Sequence, residues 1–233
     1  MRIMGIWNGG LLPPLPAAVQ PLVMTESLFS MDGTELDLSR MAELRSKYGF
    51  FLMVDEAHAV GALGPGGRGL CAGVPGTADI VLGTFGKSLG LFGSFLLLPK
   101  GFAAFFESLS SAVMHSTAMP PAHAAAVLKL LERLPLLEAE RARLRDNAVF
   151  FRARLSELGI PTRGTAHIVA VPTGREARTI HLGEQLAERG VLALAARYPT
   201  VPHGDGLLRF GLTALHTQGM LERTARILAD LWE

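Results

Sequence analysis

Cysteine is almost absent. Cys71 stands alone, so no intrachain disulfide can form and the chain falls outside the class of small, disulfide-framed secreted domains. Charge is scarce as well: Asp, Glu, Lys and Arg make up 18% of the residues, against about 25% in an average soluble domain. The charges balance to a formal net +1, which gives no electrostatic reason to expect nucleic acid or an anionic membrane as a partner. Long apolar runs are missing too. The stretch Leu89 to Leu98 is broken by Gly90 and Gly93 and is far shorter than the ~18 residues of a membrane span, so no such span is expected. Pro13, Pro14 and Pro16 interrupt any signal-peptide core between Met1 and Gln20, which is expected to be a poorly ordered start. There is no internal repeat and no low-complexity tract, no metal site is expected, and the chain is placed in the cytoplasm.

Apolar residues, by contrast, reach 49%. With so few charges, that excess implies surface covered by a homodimer partner or by further sequence. From Pro21 onward, short apolar runs alternate with amphipathic stretches. Leu22 to Thr25 reads as a strand. Leu38, Met41, Leu44 and Tyr48 fall at helical spacing behind Asp37, an N-cap residue type, and Gly49 closes that helix. Phe50 to Val54, Ile80 to Gly83 and Ser94 to Leu98 read as further strands. This rhythm predicts an α/β domain with a mostly parallel sheet, in which ligands bind beyond the carboxyl ends of the strands. After Pro120 and Pro121 the pattern changes. Leu144, Ala148, Phe151, Leu155 and Leu158 mark a long helix stopped by Gly159 and Pro161. His167 to Val171 and Leu207 to Leu212 read as strands, Arg175 to Glu188 as a helix, and Met220 to Leu231 as a last helix. The expected division is an unmatched segment 1–20, part of a large domain over 21–125, and a smaller α+β domain over 126–233.

Three segments carry chemistry. Val54-Asp55-Glu56-Ala57-His58 delivers acidic residues at a strand end; taken alone, Asp55 is more often a turn residue than a functional one. The run Asp55 to His58 also spells the acidic motif of nucleotide-dependent helicases. That reading needs an upstream phosphate loop, G-x-x-x-x-G-K-[ST]. The nearest match, Gly83-Thr84-Phe85-Gly86-Lys87-Ser88, lies downstream, and Val81 stands where the first glycine belongs, so the helicase reading fails on order and spacing. The second segment, Gly83 to Gly90, sets Lys87 among small residues that let a planar ligand approach the backbone. An amine there forms a Schiff base if its surroundings keep it unprotonated, and Thr84 is placed for a phosphate. The third, Ser116-Thr117-Ala118-Met119-Pro120-Pro121, reads as a helix start with hydroxyl capping, a phosphate site, or both. An Asp, a His three residues later and a Thr-x-x-Lys at the next strand end suit pyridoxal 5′-phosphate (PLP). That cofactor requires a carboxylate at the pyridine nitrogen, a polar group at the phenolic oxygen and a lysine at the aldehyde carbon.

These segments, together with Glu26-Ser27-Leu28-Phe29-Ser30-Met31-Asp32-Gly33, occur in the order found in the α-oxoamine synthases, and from about Leu22 to its end the chain resembles that family. The resemblance implies the C-terminal part of a fold-type I PLP-dependent transferase that condenses an amino acid with an acyl-CoA thioester, as a homodimer. It implies Lys87 as the Schiff-base lysine and general base, Asp55 at the pyridine nitrogen, and His58 and Ser30 at the phenolic oxygen. Thr84 would take the phosphate, with Ser116 and Thr117 reaching it from the partner subunit. Tyr198 to Gly204 and Leu208 to Thr213 resemble the substrate-contacting stretch, so Glu26, Thr200 and Arg209 are expected to contact substrate, Arg209 through its carboxylate. Family chains extend further on the N-terminal side and carry there a ring-stacking histidine, which Met1 to Pro21 lacks. The isolated chain is therefore expected to leave one cofactor face open, with little activity. An aminotransferase on the same fold and an inactive structural subunit remain the alternatives.

Overall fold

The computed structural model describes residues 20–232; the segment expected to be a poorly ordered start lies, apart from Gln20, outside the described residues. The chain divides into two compact units: the first takes 20–27 and Leu36–Leu136, the second Leu28–Glu35 and 137–232.

The first unit is built on strands β1 (Leu22–Glu26), β2 (Phe51–Asp55), β3 (Ile80–Thr84) and β4 (Ser94–Leu97), in the spatial order β1-β2-β3-β4. β1, β2 and β3 are parallel and β4 returns antiparallel. Helix α1 (Leu38–Tyr48) links β1 to β2. The Asp37 carboxylate accepts from the Arg40 amide at 2.8 Å, and Gly49, at φ 65°, closes the helix by donating to the Arg45 carbonyl. Both ends follow from residue type: a short acceptor satisfies an orphan amide, and only glycine takes the left-handed turn without strain. Leu38 packs on Leu52 and Val54. Arg45 fastens the β2–β3 connection: its guanidinium donates to the carbonyls of Gly76 (2.7 Å) and Thr77 (3.2 Å) and pairs with Asp79, which in turn accepts from the Leu52 amide.

Helices α2 (Phe102–Leu109), α3 (Ser111–Met114) and α4 (Pro121–Arg133) complete the first unit. α4 was expected to fall largely in the second domain. Val127 on α4 and Leu134 beyond it instead bury against Val60, Phe85 and Leu89, which moves the break to Leu136.

The second unit sets α5 (Glu138–Glu157), α6 (Glu176–Glu188) and α7 (Gln218–Asp230) with an antiparallel sheet of β5 (Ile168–Gly174), β6 (Leu194–Ala196) and β7 (Gly206–Gly211), in the order β5-β7-β6. The core joins Ala148, Phe151 and Leu155 of α5 to Val169, Val171, Leu208 and Phe210 of the sheet and Leu221, Ala225 and Leu228 of α7. The rings of Phe151 and Phe210 meet edge-on, with centroids 5.3 Å apart. Leu28–Glu35, expected in the large domain, belongs here: the Thr165 amide donates to the Gly33 carbonyl at 3.0 Å and the Thr165 hydroxyl to Glu35 at 2.7 Å. Gly33 has φ 73°, and a Cβ on it would collide with the Ile168 carbonyl. Among the described residues no helix is long and apolar enough to cross a membrane.

Phe151 is fully buried and central to this core. Phe151→Ala should destabilise the second unit by about 3–5 kcal/mol through lost burial and the cavity left behind, read as a lower urea midpoint for a reporter in that unit.

Candidate active site

The site begins where the parallel strands end. Register places Glu26 of β1 beside Asp55 of β2, and Asp55 beside Leu82 of β3, so that Thr84 lies two residues further along. Glu26, Asp55 and Thr84 thus stand at the carboxyl ends of adjacent strands, where side chains leave the sheet.

The segment after Asp55 is fixed by hydrogen bonds rather than by a helix. The Asp55 carboxylate accepts from the Ala57 amide at 2.7 Å, and the Glu56 amide donates to the Leu82 carbonyl. Glu56 turns inward and is 1% exposed; its two oxygens accept from the amides of Leu70 (2.9 Å) and Cys71 (2.6 Å). A Cβ on Gly69, at φ 91°, would strike the Glu56 carboxylate, so glycine is required for the loop to close over it. Glu56 is therefore a structural anchor, although it is the second letter of the acidic run. Burial, then the hydrogen bond and charge of Glu56, push the Cys71 thiol far above its ordinary range, which leaves it a poor nucleophile.

The turn carrying Lys87 closes on itself. The Phe85 amide donates to the Gly93 carbonyl (2.9 Å), the Leu91 amide to Phe85 (2.7 Å) and the Gly90 amide to Lys87 (3.0 Å). The Thr84 hydroxyl donates to the Gly93 carbonyl and accepts from the Gly86 amide, both at 3.1 Å. Ser88 hydrogen-bonds the Val60 carbonyl, and Gly61 has no Cβ to push Ser88 away. The result is a contact between two strand ends: Lys87 Nζ lies 2.7 Å from His58 Nε2.

Ser116 and Thr117 are exposed, between α3 and α4. The expected capping role is corrected by the structure: α4 starts at Pro121 with Pro120 before it and no side-chain cap, while the Ser116 hydroxyl bonds back to the Ala112 carbonyl. The remaining expected residues belong to the second unit. Arg209, on the central strand β7, donates from Nε to the Ser30 carbonyl at 2.5 Å. Ser30 thus meets Arg209 through its backbone. Thr200 is exposed in the loop from Arg197 to Asp205, where its amide donates to the Arg197 carbonyl at 2.8 Å.

Sequence reasoning missed two supporting residues. Glu56 had a signal, the glycine-rich loop that follows it, but was read only as part of a motif. His167 had none, because Arg209 lies far along the chain. Burial, and secondarily the Arg209 charge, hold the His167 imidazole down at about 4, and its buried Nδ1 has no protein partner.

For PLP, the donor set fits. Lys87 supplies a primary amine, His58 an imidazole touching it, and Asp55 a carboxylate at the end of the neighbouring strand, with Gly86 and Gly90 leaving the turn open. Among the described residues no cluster of metal-ligating side chains occurs.

Comparison with known proteins agrees with this chemistry. The family described as aminotransferase class I and II matches residues 12–228. An 8-amino-7-oxononanoate synthase of Gluconacetobacter diazotrophicus is 40% identical over 209 residues, covering 89% of this chain and 52% of that protein. A serine palmitoyltransferase from S. paucimobilis, solved with a bound PLP–myriocin aldimine, matches at TM-score 0.86 and 28% identity, over 93% of this chain and 56% of that one. An 8-amino-7-oxononanoate synthase from Francisella tularensis matches at TM-score 0.80 and 25% identity, over 92% of this chain and 63% of the other. The chain spans about half the length of the curated relatives it matches.

The depressed imidazole of His167 makes stability depend on pH. Its folded value, about 4, lies below the ordinary 6.5, so the unfolded state binds the proton first. Stability should be unaffected above pH 6.5 and fall by up to ~3 kcal/mol as pH drops from there toward 4. Urea titrations across that range should show the slope, and His167→Gln should flatten it.

Proposed function

Because the chain belongs to the aminotransferase class I and II family, and within it to the PLP-using α-oxoamine synthases, we propose that it holds PLP and an amino acid for condensation with an acyl-CoA thioester. The observation that carries this reading is the 2.7 Å contact between Lys87 Nζ and His58 Nε2 at the strand ends that also bear Asp55. Lys87 would carry the cofactor's aldehyde carbon, Asp55 its pyridine nitrogen, and His58 with Ser30 its phenolic oxygen. Thr84 would face the phosphate, joined by Ser116 and Thr117 from the partner subunit of a homodimer. When bound, PLP supplies an electron sink for negative charge developing on the substrate.

The chain's own residues do the rest. Once the incoming amino acid has displaced it from the cofactor, the freed Lys87 amine would take the proton from the amino acid's α-carbon, with His58 as its hydrogen-bond partner. The Arg209 guanidinium, held through Nε on the Ser30 carbonyl, would pair with the substrate carboxylate, for which its planar fork is suited. Glu26 and Thr200 complete the substrate contacts. Support for a dimer comes from the apolar residues that α2 and α3 expose, Phe105, Leu109 and Met114 among them. The lone cysteine suits a cytoplasmic setting.

The 40% identical relative favours an activity like 8-amino-7-oxononanoate synthase, a step of biotin synthesis, joining alanine to a pimeloyl thioester. The likeness to serine palmitoyltransferase supports the second reading, another amino acid and acyl chain on the same machinery. Product analysis separates both from an aminotransferase: free CoA is released in the first two, whereas a keto acid exchanges in the third.

Borohydride reduction of the PLP-treated chain, followed by peptide mapping, should place a pyridoxyl group on Lys87; labelling at Lys47 or Lys100 instead would sink the assignment. Arg209→Lys should weaken amino-acid binding by about tenfold through loss of the fork while leaving PLP content unchanged. Equal loss of PLP would make Arg209 a structural residue.

A further inference from the structure

The loop from Arg197 to Asp205 carries Thr200, yet seven of its nine residues are exposed and only Val201 is buried, against Ala170, Ala196 and Leu207. Such a segment stays in one conformation only if it is tied elsewhere. Three ties occur, and none was visible in the sequence. The rings of Tyr198 and His203 stack across the loop, with centroids 3.7 Å apart and planes 13° from parallel. One oxygen of Glu176, at the start of α6, accepts from the Gly204 amide at 3.0 Å and lies 3.4 Å from His203 Nδ1. At the loop's end, Arg163 holds both oxygens of Asp205 at 3.1 and 2.9 Å.

The Glu176 tie is the informative one. The Arg163–Asp205 pair fixes the point where the loop joins β7 and would do so whatever lay between. Glu176 grips the side of the loop that the ring stack connects to Tyr198, two residues before Thr200. Loss of the carboxylate frees Gly204 and removes the partner that orients the imidazole, so the stack that holds the two sides of the loop together loses its fixed edge. The carboxylate itself is well placed for this: the Gly204 amide and its own helix-start amide hold it below the usual range, so it remains charged at neutral pH.

We propose that Glu176 and His203 are positioning residues for substrate, holding the 197–205 loop so that Thr200 is presented to the bound amino acid. This rests on the substrate role given to Thr200 above. Neither residue touches the reacting atoms; both act through the loop.

Amide hydrogen exchange on the full chain tests the tie without any turnover. Glu176→Ala should speed exchange at Gly204 and Val201 by about tenfold, with β5 and β7 core amides unchanged. Glu176→Gln keeps an oxygen for the Gly204 amide and should restore most of the protection. His203→Ala should loosen the same amides while leaving α6 intact. With L-alanine as the probe on the PLP-loaded chain, Glu176→Ala should weaken binding roughly three- to tenfold at unchanged PLP content, and Glu176→Gln should recover it. Unchanged exchange, or faster exchange with unchanged alanine affinity, overturns the positioning role alone. A wild-type chain that takes up no PLP, or takes it up and does not bind alanine, defeats the functional reading and the positioning role with it.

Discussion

A buried carboxylate fixes the architecture on which the candidate site depends. Glu56 follows Asp55 at the end of β2 and points inward, where it satisfies the amides of Leu70 and Cys71 in an otherwise irregular, glycine-rich loop. An uncompensated carboxylate at 1% exposure would be costly, and two backbone donors remove most of that cost. With Glu56 committed inward, Asp55 bonds back to Ala57 at the strand end, and His58 reaches the lysine turn. The acidic run thus spends Glu56 on the fold, between Asp55 at the strand end and His58 at the lysine turn.

Much of this was legible in the sequence where local rules decide. Asp37 and Gly49 bracket α1 because capping and left-handed turns are set by residue type. The strand ends at Asp55 and Thr84 were readable because apolar runs of that length with polar termini have few other uses. What escaped notice depends on partners distant in sequence. The assignment of Leu28–Glu35 to the second unit follows from Thr165, and β6 is only three residues long, too short for a periodic signal. Ser116 and Thr117 looked like caps because the residue types suit one, but the two prolines occupy the helix start instead. Pro120 takes the N-cap position, so Ser116 and Thr117 lie too far back along the chain to reach the first amides of α4, and the Ser116 hydroxyl bonds Ala112 instead.

The two units achieve stability by different means. In the second, one cluster runs unbroken from α5 through the sheet to α7, and the Phe151–Phe210 contact sits inside it. In the first, smaller separate clusters are accompanied by polar staples, Arg45 on the Gly76–Asp79 turn and Glu56 on the Leu70–Cys71 loop. Polar staples position atoms closely and contribute little net energy, whereas apolar burial does the reverse. A turn that must hold an amine against an imidazole is better served by the first arrangement.

The placement of Leu28–Glu35 also bears on how the chain is made. Glu35 and Thr165 are 130 residues apart, so during synthesis the early segment leaves the ribosome long before its partner exists. Strands β1 to β4 and their helices are contiguous apart from that segment and can assemble as they emerge. The second unit cannot be completed until β5 arrives to receive a piece of chain already waiting, tethered at both ends by the first unit. Folding the first unit early shortens the effective loop that must then close, since its ends are no longer separated by a random coil. The segment 28–35 therefore emerges early and is completed late, because the partners it packs with in its own unit lie beyond residue 136.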